Sequence, residues 1–516
     1  MSAERTARFG AEATTGSSVV RGGLWKMLGN ALPQVYALVI SIAAARYLGP
    51  DGMGRQSFIA FAELSVIELL TSGFGMSLQR YIGESVGAER GAQAQWLARS
   101  VFRIMAVAAV VGGGVLIALG VFGREPKAAW IFAGLAAFSG TLASVPGAIL
   151  TGLQRWRDAT IAGLVTGGFG TLATLIVLAL GGRISAMFAV EAASLLMILV
   201  WTGVLARRSL SAVSDEITPA PDLRRRSLRF AGYSSISALL YLIVWRRSEF
   251  FFLNHYSADR EIAFYSIAFG LVAAVVRLPS AMGQVLAPAV ATLLGAGAHE
   301  RIRRGFSRAL RLLLIVTMPI AAATAALGPE AIRLFWGDAY GPTREPLLIM
   351  VAASLLTPVT VLASSLLAGL AHVRLPLVAT AAAGIVDLGL AAALVPHHGA
   401  VGAAIANGAA QATAGVPMIV YSARIAGPID WGWGSLVRCA GVSAAGGAVA
   451  WGVSAGVGGA AGLILGLLAG SAVFFGLAAA VGLLSREDAA WLSDVVGSRA
   501  GDLPRRLVLA LRVRER

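Results

Sequence analysis

The sequence predicts an all-α, polytopic membrane protein of fourteen transmembrane helices, built as two six-helix pseudo-repeats followed by two further helices. Three observations predict it. Apolar stretches recur almost end to end, and each is long enough for a bilayer core, which needs roughly 20 residues at about 1.5 Å rise. The composition agrees: 57% of residues are hydrophobic, 13% are charged and the mean hydropathy is +0.75, so a soluble domain of this makeup would aggregate. A β-barrel would show short alternating segments instead. The third observation is an asymmetry in where the arginines fall.

The elements follow in order. Residues 1–21 are polar, contain Gly, Ser and Thr, and read as a disordered cytoplasmic arm. The first apolar run, 24–47, ends in Ala43-Ala44-Ala45 like a cleavable signal. It is longer than a typical signal core and thirteen spans follow, so it reads as an uncleaved helix. Runs 58–78, 101–122, 128–150, 161–180 and 184–205 complete an N-terminal six-helix bundle, 22–206. Residues 207–229, with Pro219, Pro221 and Arg224-Arg225-Arg226, read as a cytoplasmic linker. Runs 230–252, 262–286, 310–327, 347–370, 375–395 and 401–421 form a C-terminal six-helix bundle, 230–425. Two additional helices, 436–457 and 460–484, occupy 426–484. The 485–516 tail carries Arg505, Arg506, Arg512, Arg514 and Arg516 around an apolar 507–511 patch. It fits either a basic amphipathic helix on the inner membrane surface or a polar tail.

Of the 42 Lys and Arg residues only Lys26 and Lys127 are lysines. With an even number of spans and the N-terminus inside, 31 basic residues fall on the cytoplasmic side and 8 outside. Arg246, Arg247 and Arg277 lie within spans. The positive-inside rule then places both termini in the cytoplasm of a cell membrane. The net charge of +15 reports topology and contact with anionic lipids rather than nucleic acid, because no soluble domain gathers the arginines into one surface.

An internal repeat divides the chain. Leu150-Thr151-Gly152-Leu153-Gln154-Arg155-Trp156-Arg157 and Leu367-Ala368-Gly369-Leu370-Ala371-His372-Val373-Arg374 share Leu, Gly, Leu and Arg at an offset of 217, which Gly167 and Gly384 keep. A weaker echo links Gln56-Ser57-Phe58-Ile59-Ala60-Phe61 to Tyr265-Ser266-Ile267-Ala268-Phe269. Six helices per repeat keep both halves in one orientation, with substrate expected between them. Sixty-two glycines suit close helix packing in lipid. Prolines at 33, 279, 288, 319, 358 and 417 permit kinks.

Several chemistries are excluded. No G-x-x-x-x-G-K-[ST] loop is possible with lysines only at 26 and 127. His299-Glu300 lacks the second histidine of a zinc-protease helix, and the single Cys439 makes neither a disulfide nor a thiolate cluster. No cofactor and no enzymatic activity are expected.

Three stretches carry a family resemblance. Arg46-Tyr47-Leu48-Gly49-Pro50-Asp51-Gly52-Met53-Gly54 resembles the R-x-L-G-P-x-G-x-G signature of bacterial polysaccharide and O-antigen flippases. Gly152-Leu153-Gln154-Arg155 is similar to the family's short cytoplasmic turn. Pro396-His397-His398-Gly399-Ala400-Val401-Gly402-Ala403-Ala404 resembles its P-x-x-G-x-x-G-A-A turn. These flippases share a superfamily with multidrug-extrusion transporters and the lipid II flippase. The resemblance implies translocation of undecaprenyl-pyrophosphate-linked oligosaccharide by alternating access, for cell-surface polysaccharide such as lipopolysaccharide. It implies membrane lipids and the polymerase and glycosyltransferase machinery as partners. A multidrug-type cation antiporter and a lipid II flippase remain alternatives. A membrane polymerase or ligase would need a larger external loop than 328–346.

Intramembrane arginine costs about 2.5–3.5 kcal/mol on insertion scales unless it meets water or a partner. Arg246, Arg247 and Arg277 are therefore the candidate cationic surface for a diphosphate, whose oxygens a guanidinium fork binds in pairs. The alternative is an Arg246–Glu249 pair with Arg247 snorkelling outward. Acids within spans are Glu63, Glu68, Glu191, Glu249 and Asp387. Glu68 and Asp387 fall near mid-depth and are the candidates for ion coupling, or for bridging helices. Asn407 and Gln411 read as interhelical hydrogen-bonding residues, and His397 and His398 as solvated loop residues.

Overall fold

In the computed structural model, residues 16–213, 217–245, 248–372 and 374–483 are described, and no strand occurs among them. Among the described residues ten helices are long and apolar enough to cross a membrane, so the chain is a multi-pass α-helical membrane protein. It divides into two compact units, Met1–Phe250 and Phe251–Arg516. The 485–516 tail expected to be amphipathic lies outside the described residues.

The first unit holds α1 (Gly16–Gly87), α2 (Gly91–Val121), α3 (Lys127–Gly152), α4 (Trp156–Ala179), α5 (Ile184–Val213) and α6 (Pro221–Trp245). Helix α1 joins two expected spans and breaks at Gly49, whose φ of 70° and ψ of 177° no helix contains. Pro50 follows, and its missing N–H cannot bond back to the preceding turn. Helix α3 packs on α1, α2 and α5. Small residues let it approach: a Cβ on Gly113 or Gly134 would stand 2.6 Å from the other's carbonyl oxygen. In lipid such close van der Waals contact replaces the missing hydrophobic drive. At the arginine-rich end, Ile82, Leu97, Met105, Leu150 and Val213 share one buried cluster.

The stretch 207–229, expected as a linker, is largely helical. Residues up to Val213 continue α5, and Arg224-Arg225-Arg226 sit in the first turns of α6. Pro221 explains the restart, since proline is pre-set for a first helical position and Asp222 favours the positive end of the helix dipole. Buried Ser77 donates from Oγ to the Ser227 carbonyl at 2.7 Å, tying α6 to α1.

The expected 230–252 span is described as two pieces, α6 and α7 (Glu249–Tyr256), with Arg246 and Arg247 outside the described residues. The unit division falls within α7.

The second unit continues with α8 (Asp259–Gly295), α9 (His299–Phe335), a 3-10 segment (Asp338–Thr343), α10 (Arg344–Ser354), α11 (Thr357–Gly369), α12 (Arg374–Ala426), α13 (Trp433–Val457) and α14 (Gly459–Val481). The expected continuous span 347–370 is interrupted at Leu355-Leu356. Pro358 accounts for the break, because it leaves a carbonyl of the preceding turn without a donor and suits a helix start. Helix α12 breaks at Gly399 (φ 49°, ψ −128°), between two expected spans. In α14, Gly462, Gly466 and Gly470 lie one turn apart against Ser454, Ala450 and Gly446 of α13. Each glycine's Cβ position is 2.6 or 2.7 Å from the facing carbonyl oxygen.

The internal repeat is visible as geometry. Gln154 and Ala371 are both non-glycine residues with positive φ, 58° and 62°. Around them the same three backbone bonds recur at the 217 offset. Leu153, Gln154 and Arg155 donate to Ile149, Thr151 and Leu150; Leu370, Ala371 and His372 donate to Leu366, Ala368 and Leu367. Gly152 packs against Gln79 O and Ile82 Cβ, as Gly369 packs against Ala287 O and Val290 Cβ. The α1-to-α8 register is thus 208.

Candidate functional site: the charges within the helices

Arg277 is exposed near the midpoint of the 37-residue α8, so it is the one candidate arginine of the three that the described structure places. Arg246 and Arg247 lie outside the described residues, and with them the proposed pair with Glu249. Glu249 itself is fully buried at the start of α7. Its neighbour Phe250 meets Phe61 of α1 edge-on, with ring centroids 5.1 Å apart.

The two coupling candidates stand in different settings. Glu68 is half-buried on α1, and its backbone carbonyl accepts a 2.7 Å bond from Ser72 Oγ. Asp387 is fully buried in the first arm of α12. In the second arm Gln411 Nε2 donates to Asn407 Oδ1 at 2.9 Å, and Thr357 Oγ1 of α11 donates to Gln411 Oε1 at 3.1 Å. Gln411 therefore links α12 to α11 as an acceptor, while donating within its own helix. Among the described residues no group of three or more His, Cys, Asp or Glu could hold a metal ion.

Depth along a span singled out Glu68 and passed over Glu63. The structure shows Glu63 to be the more deeply enclosed, at 1% exposure, with neither carboxylate oxygen hydrogen-bonded. Glu191 on α5 is close enough to repel it. The two are 128 positions apart, so no spacing in the sequence signals their meeting.

The motif glycines are placed by demands that the structure makes explicit. At Gly399 an added Cβ would meet the Glu261 carboxylate at 2.6 Å. That carboxylate accepts from the Ala400 N–H at 3.0 Å, capping the second arm of α12. His397 and His398 are exposed at this turn. Cys439 is buried, with Sγ donating to the Ile315 carbonyl at 3.4 Å, and serves packing.

A family model described as polysaccharide biosynthesis protein matches residues 19–294, more than half of the chain. The chain belongs to that family. A second model, MatE, matches residues 237–392 of this polysaccharide biosynthesis protein. Comparison with curated proteins finds no match. Among solved structures, an inward-facing multidrug resistance MATE family transporter of the MOP superfamily aligns with a TM-score of 0.67 at 17% identity, covering 78% of this chain and 98% of that one. The lipid II flippase MurJ in its inward closed conformation gives 0.67 at 14% identity, covering 88% and 98%. A MOP superfamily transporter from Pyrococcus furiosus gives 0.56 at 18%, covering 79% and 95%. At these identities the likeness establishes the shared transporter fold.

Proposed function

We propose that this polysaccharide biosynthesis family member is a flippase that moves undecaprenyl-pyrophosphate-linked oligosaccharide across the cytoplasmic membrane by alternating access. The match over residues 19–294 carries the reading. It is supported by the Leu48-Gly49-Pro50 turn, in which the glycine's φ of 70° meets a requirement few other residues satisfy. Both termini face the cytoplasm in this reading, as the arginine bias requires. Arg277, with Arg246 and Arg247, receives the diphosphate, while Glu68 and Asp387 are candidates to couple flipping to an ion gradient. A lipid II flippase is the second reading, favoured by the alignment over 88% of this chain.

Deleting the gene tests the reading. Lipid-linked oligosaccharide should accumulate on the cytoplasmic leaflet and surface polysaccharide should fall. Accumulation of lipid II instead would select the second reading, and accumulation of neither would reject both. In proteoliposomes Arg277→Ala should slow flipping roughly tenfold or more, the scale of one charge-assisted hydrogen bond. Lysine at 277 should restore part of the rate, keeping charge but losing the fork. An unchanged rate in the alanine variant would remove Arg277 from the site.

A further inference from the structure

Glu63 presents a cost that the fold does not offset. Its carboxylate is enclosed in α1 with both oxygens lacking hydrogen bonds. Burying an ionised carboxylate without a partner is among the most expensive arrangements in a protein. The neighbouring charge is another acid, Glu191. Their meeting follows from packing on α3. A Cβ on Gly140 would stand 2.8 Å from Ile67 Cδ1 and 3.5 Å from Leu195 Cδ1, so α1 and α5 converge there. Glu63 and Glu191 each lie four residues earlier, on the same helical faces and therefore one turn away from that convergence. Ala136 and Ala137 of α3, fully buried, occupy the corresponding turn and offer no polar group.

The other charges are remote or are also acids. Helix α3 carries only Lys127, at its start. Arg99 and Arg103 of α2, Arg157 and Asp158 of α4, and Arg207 and Arg208 of α5 lie toward the arginine-rich end. So do Asp222, Arg224, Arg225, Arg226, Arg229 and Tyr233 of α6. At the opposite rim Arg124 lies over the rings of Phe58 and Trp130, at 5.2 and 5.3 Å. Glu249, next to the Phe250 that touches Phe61, is the acid approaching from α7. Within α1, Arg55 and Glu68 are about two turns and one turn away along the axis. The repeat register argues against a scaffold role: at offsets of 208 and 217 the second half has Leu271 and Gly408 where Glu63 and Glu191 stand.

We propose that Glu63 and Glu191 form a proton-binding site that holds one exchangeable proton between two carboxylates. A single proton removes one of two like charges and supplies the missing donor, giving an O–H···O⁻ bond, which is among the strongest available. It needs no ligand shell, which suits a turn walled by Ala136 and Ala137 better than a metal cation would. That the proton is exchanged during transport rests on the flippase reading; that the pair binds it does not.

The test uses the full chain in lipid nanodiscs without substrate, following the carboxyl C=O infrared band as pH is varied in sodium-free and sodium-containing buffer. The expected result is one protonated carboxyl per chain that titrates independently of sodium, disappears in Glu63→Gln and changes its midpoint in Glu191→Gln. Glu63→Leu, which installs the residue of the second half, removes one carboxyl of the shared bond and should abolish the band as Glu63→Gln does. Absence of a titrating band that depends on Glu63, or a band that responds only to sodium, would overturn the site. In proteoliposomes that flip substrate, Glu63→Gln should abolish the dependence on an imposed pH gradient, and a persisting dependence would overturn the coupling role. If the parent protein fails to flip while its infrared band still titrates, the flippase reading fails and the proton site stands.

Discussion

Gly399 answers to two independent demands, its backbone angles and the carboxylate of Glu261 against its Cα. Gly399→Ala should therefore cost about 1–3 kcal/mol through backbone strain alone, and more where Glu261 has to leave the Ala400 N–H. Thermal unfolding in detergent checks this, with Glu261→Ala expected to remove the contact part of the penalty but not the strain. That glycine was legible in the sequence because it recurs in a family turn and because glycine tolerates angles other residues avoid. Gly49 was legible for the same reason. Glu63 and Glu191 were legible only as costly residues. Depth is readable from position along a span, but which face of which helix an acid shares is a tertiary fact, and two residues 128 positions apart leave no periodic trace. The intramembrane arginines illustrate the converse. Their cost made them conspicuous in the sequence, yet the described structure places only Arg277.

Spans are readable where hydropathy is continuous, and local breaks within them are not. The 347–370 run is apolar enough to cross a membrane, and its mean hydropathy carries no mark of the interruption at Leu355-Leu356. Pro358 permits a kink, but proline alone does not distinguish a bend from a fresh helix start. In the 207–229 stretch, charge and two prolines read as a linker, and within it Pro221 opens a helix. Small-residue spacing carried real information in α14. Gly462, Gly466 and Gly470 stack at one-turn intervals against α13 at carbonyl distances that leave no room for a side chain. Gly466→Leu should separate the pair and destabilise it by about 1–3 kcal/mol, as overpacking does. A disulfide between cysteines engineered at facing positions of α13 and α14 should form more slowly in that variant, while an equal rate would show that the ladder is not the contact holding the pair.

For the whole molecule, orientation follows from arginine placement, and it is tested directly. A cysteine at Ala212, in the last turn of α5, should react with membrane-permeant reagents and resist impermeant ones applied from outside intact cells. Labelling from outside would invert the topology and with it the side from which substrate enters. The repeat was legible from four shared residues because a turn with a left-handed residue tolerates little substitution around it, and the backbone bonds around Gln154 and Ala371 show the same turn built twice. The two registers also locate where the halves part company. The offset is 208 from α1 to α8 and still 208 from the start of α2 to that of α9, but 217 from the start of α3 to that of α10. The nine-residue difference therefore lies within one interval, that of the longer α9 and its 3-10 segment. Such a pattern is the mark of a tandem gene duplication followed by a single local change in length. Once duplicated, each copy could keep the shared apolar scaffold while its charges diverged separately. Leu271, Gly408, Leu69 and Gly170 stand where the other half carries Glu63, Glu191, Arg277 and Asp387.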